Sequence, residues 1–214
     1  MLMAFCGSKG AGKDTSANLV KELYTGKVES LSLAGHLKSV CSKVFGVDMK
    51  YFTDPKLKEV ELDTYIVLKA SNLRYVFCDF GIDLVDYDKL IRPHMSKVLE
   101  TPRQLLQYIG TEVLHPVDPL IHVKLMMKNK DPKALTLITD LRFENEFNYF
   151  KSQTQFKFKP YYVSNLNAEA AASGDMHPSE RDLQKFKNLC VKIDNNGSIS
   201  DLRNKLKVII ESLS

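Results

Sequence analysis

The chain begins with the stretch that decides its fold, Leu2-Met3-Ala4-Phe5-Cys6-Gly7-Ser8-Lys9-Gly10-Ala11-Gly12-Lys13-Asp14-Thr15. An apolar run long enough for one buried strand is followed by a glycine-rich turn and then by an amphipathic helical pattern. Glycines let backbone N–H groups curve around an anion, while the helix N-terminus and the lysine ammonium add positive charge. The order of strand, glycine loop and helix therefore predicts a site for nucleotide phosphates. Its expected binding residues are Gly10, Ala11, Gly12, Lys13, Asp14 and Thr15.

The residue after the lysine departs from the usual form of this loop. Ser or Thr commonly follows the lysine and ligates Mg²⁺ through its hydroxyl. Here Asp14 follows Lys13, and the hydroxyl comes one residue later at Thr15. Because a carboxylate would repel phosphate oxygens, we expect Asp14 to point away and to cap the helix start. Thr15 is the expected Mg²⁺ ligand, directly or through water. Adenylate-kinase-like enzymes have a similar offset, which favours a small-molecule kinase over a switch GTPase or motor ATPase.

Composition indicates one sizeable globular domain. The 214 residues are 44% hydrophobic and 26% charged, and the formal net charge is +4. This charge suits an anionic substrate, but no basic tract is dense enough to indicate a nucleic-acid partner. The four cysteines lack metal-site spacing, so free thiols in a reducing compartment are expected. No stretch is long enough for a signal peptide or a membrane span, so we expect a cytoplasmic protein and no membrane partner.

Apolar runs and helical periods alternate along most of the chain. Strands are predicted at Leu2–Cys6, Val28–Leu33, Leu135–Thr139, Pro160–Val163 and Cys190–Ile193. Helices are predicted at Lys13–Tyr24, Gly35–Phe45, Pro102–Ile109, Pro119–Lys128, Phe143–Lys151, Pro178–Lys187 and Ile199–Leu213. This alternation predicts an α/β fold with a parallel sheet of about five strands, helices on both faces, and ligands beyond the carboxyl ends of the strands.

Two segments do not follow the alternation. Residues 46–101 lack a clean period and are expected to form an inserted substrate-side lobe within the single domain of residues 1–214. Residues 165–175 are polar and rich in small side chains, so a mobile loop is expected there, within a lid at 164–182. A histidine or arginine in residues 175–181 of that lid could reach the transferring phosphate, although a helix cap and a surface histidine explain this spacing equally well.

Two further motifs carry groups that suit phosphoryl transfer. The strand from Leu135 ends before Asp140, which can hold Mg²⁺ or orient substrate, and Arg142 can pair with a phosphate. A helix cap by Asp140 and a surface ion pair of Arg142 explain the same pattern equally well. In a helix capped by Thr101 and expected to close at Gly110, Arg103 and Gln107 share one face. They can grip an anion and read a base edge, although a solvated helix face is the simpler explanation.

In their order along the chain, these pieces resemble the deoxynucleoside monophosphate kinases of bacteriophages. The matching pieces are the glycine loop through Thr15, Leu33 to Lys38, Arg103 to Gln107, Gly110 to Glu112, Val123 to Leu125, Asp140 to Arg142, His177 to Glu180, and Asp194 to Ser198. The resemblance covers most of the chain outside residues 46–100. It implies a P-loop NTPase fold of three layers, similar to nucleoside monophosphate kinases, that transfers the γ-phosphate of ATP to a deoxynucleoside monophosphate with Mg²⁺ as cofactor.

The resemblance also implies roles for individual residues. Lys13 would act on the ATP phosphates, with Asp140 and Arg142 as the further catalytic residues. The implied acceptor-binding residues are Lys38, Arg103, Gln107, Gly110, Thr111, Asp140, Arg142 and Glu146. One departure is His36, which stands where the family often has proline before Lys38. A monomer or homodimer in the cytoplasm, or in the host cytoplasm if a phage encodes the chain, completes this expectation.

Two other functions fit the phosphate loop. One is a kinase of another small phosphorylated metabolite, such as phosphomevalonate, on the same scaffold. The other is a nucleic-acid-stimulated ATPase, for which the mild positive charge is the only support. The two are separated from the leading hypothesis by whether ADP release depends on an acceptor and on which one.

Overall fold

The computed structural model describes residues 1–54, 56–83, 86–128, 130–172 and 178–213. Its strands are β1 (Leu2–Cys6), β2 (Val28–Leu31), β3 (Ile66–Val67), β4 (Val98–Leu99), β5 (Leu135–Ile138), β6 (Phe158–Ser164) and β7 (Val191–Asp194). Its α-helices are α1 (Lys13–Leu23), α2 (Gly35–Phe45), α3 (Lys50–Thr53), α4 (Ala70–Asp79), α5 (Tyr87–Leu90), α6 (Pro102–Gln107), α7 (Ile121–Lys128), α8 (Glu144–Ser152), α9 (Leu166–Ala172), α10 (Pro178–Phe186) and α11 (Ile199–Glu211). Short 3₁₀ turns lie at Arg92–His94 and Lys187–Leu189, and a π-helical segment spans Tyr108–Leu114.

The main sheet has five parallel strands in the order β2-β5-β1-β6-β7. The predicted α/β fold with a parallel sheet is therefore confirmed. The central strand β1 is buried along its whole length, as expected for an apolar strand covered on both faces. Because the strands are parallel, the segments that follow β1, β2, β5, β6 and β7 all begin at one edge of the sheet.

Helices cover both faces of this sheet. On one face, Leu202 and Leu206 of α11 are buried together with Phe5 and Tyr161, and burial of each such leucine contributes about 1.5–3 kcal/mol. On the other face, Phe158 of β6 meets aromatic side chains of α8. Its ring centroid lies 5.7 Å from that of Phe147 and 5.6 Å from that of Phe150. The sheet and its two helical layers give the three-layer arrangement.

The chain divides into two compact units. The first comprises Met1–Leu33 and Met126–Ser214 and contains the parallel sheet. The second comprises Ala34–Leu125, and its core includes Phe52, Phe77 and Leu105. The second unit also holds an antiparallel pair, in which Ile66 of β3 lies opposite Leu99 of β4. Residues 46–101, the expected inserted lobe, lie within this second unit.

Two expectations about loops and helix ends are wrong. The segment expected to be a loop is helical over Leu166–Ala172, because Asn165 accepts a hydrogen bond from the Ala168 N–H (3.0 Å) and alanines follow. The rest of that expected loop, 173–175, and His177 of the lid motif lie outside the described residues. The helix capped by Thr101 does not close at Gly110 but continues as the π-helical segment. A side chain at Gly110 would press on Leu37, so close packing explains this glycine.

No helix among the described residues is long and apolar enough to cross a membrane.

Candidate phosphate-binding site

The glycine loop lies between β1 and α1, at the carboxyl edge of the sheet. Gly12 has a φ of +97°, in the region that glycine tolerates best, and it directly precedes α1. A Cβ on Gly7 would lie 2.5 Å from the Val163 carbonyl oxygen, and one on Gly12 would collide with the Asn195 amide. The loop therefore packs its backbone against the ends of β6 and β7, which leaves no room for side chains at these two positions.

Lys13 lies inside the curve of this loop. Its Nζ donates hydrogen bonds to the carbonyl oxygens of Gly7 (2.7 Å) and Ser8 (2.9 Å). The loop is tightened by a bond from the Ala11 N–H to the Ser8 carbonyl (3.1 Å) and by one from the Ser16 hydroxyl to the Gly12 carbonyl (2.9 Å). An anion that enters the loop would compete with neutral carbonyl oxygens for the ammonium, and a charged acceptor binds it more strongly.

The two polar side chains that follow Lys13 are exposed. Asp14 makes no hydrogen bond within the described part of the chain, so the expected capping role is not observed. The physical reason is that Gly12 already turns the chain into α1, and Asp14 lies inside the first helical turn. The Asp14 carboxylate and the Thr15 hydroxyl thus both present free oxygen atoms beside the loop. Oxygen donors of this kind fit Mg²⁺, which commonly takes one or two protein ligands together with substrate phosphates.

The end of β5 carries Asp140 at the same sheet edge. Its carboxylate accepts hydrogen bonds from the Ser32 hydroxyl (2.6 Å) and the Leu33 N–H (3.0 Å). Asp140 therefore ties the end of β5 to the segment after β2 and does not cap α8. Arg142, two residues further on, is exposed.

Glu146 is the buried acid of this region, with only 6% of its surface exposed. Its carboxylate accepts hydrogen bonds from the backbone N–H groups of Arg142 and Phe143, both at 3.0 Å. Burial raises the pKa of Glu146 to about 7, although these two N–H donors oppose the increase and the Asp140 charge adds to it. Glu146 therefore fixes the backbone that carries Arg142.

The remaining expected acceptor residues belong to the second unit. Lys38 lies half-buried on α2, and Gln107 and Thr111 are half-buried in α6 and the π-helical segment. The Arg103 side chain forms an ion pair with Glu59, and the Arg103 backbone N–H donates to the Lys58 carbonyl (3.0 Å).

His36 replaces the proline that the family resemblance led us to expect, and it makes specific contacts. Its Nε2 lies 2.8 Å from an Asp79 oxygen, and its ring meets that of Phe80 edge-on at a centroid distance of 4.8 Å. The first turn of α2, which contains both His36 and Lys38, is thus attached to the end of α4.

One asparagine contacts the loop and a second asparagine contacts the first, and neither is among the site residues predicted from the sequence. Asn195, directly after β7, donates to the Ala11 carbonyl oxygen at 2.8 Å. Asn165, directly after β6, donates to the Asn195 carbonyl oxygen at 2.7 Å. The signals in the sequence were the position of both residues near predicted strand ends and, for Asn195, its place in the Asp194 to Ser198 piece of the family resemblance. Among the described residues, no group of three or more His, Cys, Asp or Glu side chains could hold a metal ion.

Comparisons with known proteins give similarities in sequence and in structure. The chain is 27% identical, over 231 aligned residues, to a protein of Acanthamoeba polyphaga mimivirus named "Putative deoxynucleotide monophosphate kinase". This alignment spans 100% of the chain and 98% of the viral protein. The similarity thus extends over both units. The solved dephospho-CoA kinase from Campylobacter jejuni is 16% identical, with a TM-score of 0.44 and coverage of 100% of this chain and 97% of that one. No family model matches the chain.

Proposed function

We propose that the chain is an ATP-dependent kinase that phosphorylates deoxynucleoside monophosphates to diphosphates. The observation that carries the proposal is the Lys13 ammonium inside a glycine loop, between a buried strand and a helix N-terminus. The similarity to the viral protein over the whole chain, and the name of that protein, support the choice of acceptor.

The donor side of the proposed reaction is the glycine loop. Its N–H groups and Lys13 bind the β- and γ-phosphates of ATP, because transfer depends on positioning and on positive charge near the moving group. Thr15 would hold Mg²⁺ directly or through water, and the exposed Asp14 is a second oxygen donor on the same turn. When bound, Mg²⁺ neutralises charge on the β- and γ-phosphates.

The acceptor side is proposed from the resemblance, residue by residue. Lys38 and Arg103 bind the phosphate of the acceptor, which then attacks the γ-phosphorus of ATP in line, with ADP as the leaving group. Arg142 stabilises the charge on the transferred group, and Asp140 orients this segment through its bonds to the segment after β2. The remaining implied acceptor residues are Gln107, Gly110 and Thr111, while Glu146 acts through the Arg142 backbone. The proposal includes a cytoplasmic location and a monomer or homodimer.

The reaction is tested by ADP release from ATP and Mg²⁺ with each deoxynucleoside monophosphate separately. Ribonucleoside monophosphates, phosphomevalonate, DNA and a sample without acceptor serve as comparisons. We expect release with one or more deoxynucleoside monophosphates, together with formation of the matching diphosphate. Release that ignores every acceptor, or that only DNA stimulates, would reject the proposal.

Two variants test the assigned roles in the same assay. Lys13→Met should lower turnover by at least about 100-fold, because a charge that stabilises the transition state is lost. Lys21→Met removes an exposed lysine from the last turn of the same helix and is the matched control. Arg103→Ala should raise KM for the acceptor and leave KM for ATP unchanged. An unchanged acceptor KM would remove Arg103 from the site.

A further inference from the structure

We infer that Asn195 is a positioning residue that holds the phosphate loop in its anion-binding shape. The inference rests on the proposed function in one respect: the anion is the triphosphate of ATP. Asn195 belongs to the Asp194 to Ser198 piece after β7, which has no assigned role in the proposed reaction.

Asn195 fixes the direction of one peptide group of the loop. The Asn195 Nδ2 donates to the carbonyl oxygen of Ala11 at 2.8 Å. Because a trans peptide points its C=O and N–H in opposite directions, this bond turns the Gly12 N–H to the side away from Asn195. Among the described residues, the Gly12 N–H has no hydrogen-bond acceptor. An N–H group without an acceptor, one residue before Lys13, is what an anion in the loop would use.

Two hydrogen bonds to its backbone hold Asn195 itself in place. Its backbone N–H donates to the Ser164 carbonyl at 2.8 Å, and its carbonyl oxygen accepts the Asn165 side chain at 2.7 Å. The ends of β6 and β7 are therefore joined to each other and, through the Asn195 amide, to the loop after β1. A donor held by two further hydrogen bonds keeps its direction, which a side chain on a free loop would not.

The Asn195 amide contributes to the shape of the loop more than to the stability of the fold. Packing of α11 on α1 does not depend on the amide, because Leu202 and Leu206 are buried in the core and Arg203 pairs with Glu22 at 2.6 Å. Replacing the amide removes one hydrogen bond at the loop and leaves these contacts in place. The effect is therefore expected in phosphate binding more than in folding.

The test compares Asn195→Leu and Asn195→Ala with the wild-type protein by titration calorimetry. Leucine is neutral and close to asparagine in shape but cannot donate, so it separates the hydrogen bond from the filling of space. The probes are ATP with Mg²⁺ and inorganic tripolyphosphate, which has no base or sugar. Asn196→Ala is the matched control, because that neighbouring side chain contacts Asp194 and the Leu166 N–H rather than the loop.

We expect both Asn195 variants to bind both probes about 5- to 10-fold more weakly, as for the loss of one hydrogen bond. KM for ATP should rise by a similar factor while KM for the acceptor stays unchanged, which a general loss of stability would not produce. Wild-type affinity in Asn195→Leu would overturn the inference. Weaker binding of ATP but not of tripolyphosphate would also overturn it, because Asn195 would then act on the nucleoside part.

Failure of the inference about Asn195 can be told apart from failure of the proposed kinase function. A wild-type protein that binds tripolyphosphate but phosphorylates no acceptor would reject the kinase and leave the Asn195 comparison valid. A wild-type protein that binds neither probe would overturn the inference itself.

Discussion

Replacement of Glu146 by Gln should change how stability depends on pH. Glu146 is almost fully buried, and burial raises its pKa from an ordinary value of 4.5 to about 7. Glutamine keeps an oxygen that can accept the N–H groups of Arg142 and Phe143, and it is neutral at every pH. The variant therefore removes a titration while retaining the hydrogen bonds that fix the start of α8.

The sign and size of the effect follow from linkage. Well below pH 4.5 the Glu146 carboxyl is protonated in both the folded and the unfolded chain, so its contribution to stability is fully present. As the pH rises through about 7 the unfolded chain releases the proton first, and this contribution is lost. A change in pKa from 4.5 to about 7 corresponds to about 3 kcal/mol, at 1.36 kcal/mol per tenfold change in proton affinity. For a chain of this size, about 3 kcal/mol is about 6–12 °C in Tm.

The assay is thermal unfolding followed by circular dichroism at several pH values between 4.5 and 8. Tm of Glu146→Gln minus Tm of the wild type should increase with pH over this range, mostly between pH 5 and 7, because titrations shared by both proteins cancel. Glu144→Gln removes a carboxylate of the same helical turn at a side chain that is 44% exposed, where water screens the charge. It should show a much smaller change. If the difference in Tm between Glu146→Gln and the wild type stays constant within about 2 °C from pH 4.5 to 8, burial does not raise the pKa of Glu146 to about 7.

Three further predictions concern the loop, the acceptor side and a thiol. Gly12→Ala should weaken tripolyphosphate binding far more than Gly10→Ala. Both glycines have positive φ, but only a Cβ at position 12 would collide with a neighbouring side chain. The backbone strain that both variants share should lower the free energy of unfolding in urea by about 1–2 kcal/mol. Glu59→Gln should lower KM for the acceptor about 2- to 5-fold and leave KM for ATP unchanged, because it releases Arg103 from an exposed ion pair. Iodoacetamide should label Cys190 in the folded protein, because a hydrogen bond with the cysteine at the end of β1 lowers the pKa of the Cys190 thiol. The cysteine at the end of β1 is buried and should react only after unfolding. Peptide mass spectrometry identifies which of the two thiols is labelled.

The sequence predicted the elements whose signals are local. The apolar run of β1 and the period of α2 have the same bounds in the structure as in the prediction, Leu2–Cys6 and Gly35–Phe45. In each case the period of apolar residues coincides with burial on one face or on both. The helix cap at Thr101 was also predicted correctly. Its signal is local too, because the capping hydrogen bond joins residues only three positions apart.

Elements that depend on distant partners gave no such signal. Ile66–Val67 pairs with Val98–Leu99, and two residues are too few to show an alternating pattern. At Gly110 the expected helix end was wrong, because the glycine serves contact with Leu37, 73 positions earlier in the chain. The hydrogen bond from Asn195 to Ala11 spans 184 positions. Which strand ends become neighbours is decided by sheet order, and no single stretch of sequence encodes it.

An asparagine behind the loop suits the proposed binding of phosphates better than a charged residue would. A lysine or arginine there would place a second positive charge near Lys13, and the two like charges would repel each other. An aspartate could not donate to the Ala11 carbonyl and would repel the anion. The asparagine side chain is neutral and donates to Ala11 while its backbone carbonyl accepts from Asn165, so it sets the direction of the loop backbone without adding charge. Positive charge at the loop then comes from Lys13 and the start of α1, where the proposed phosphates would lie.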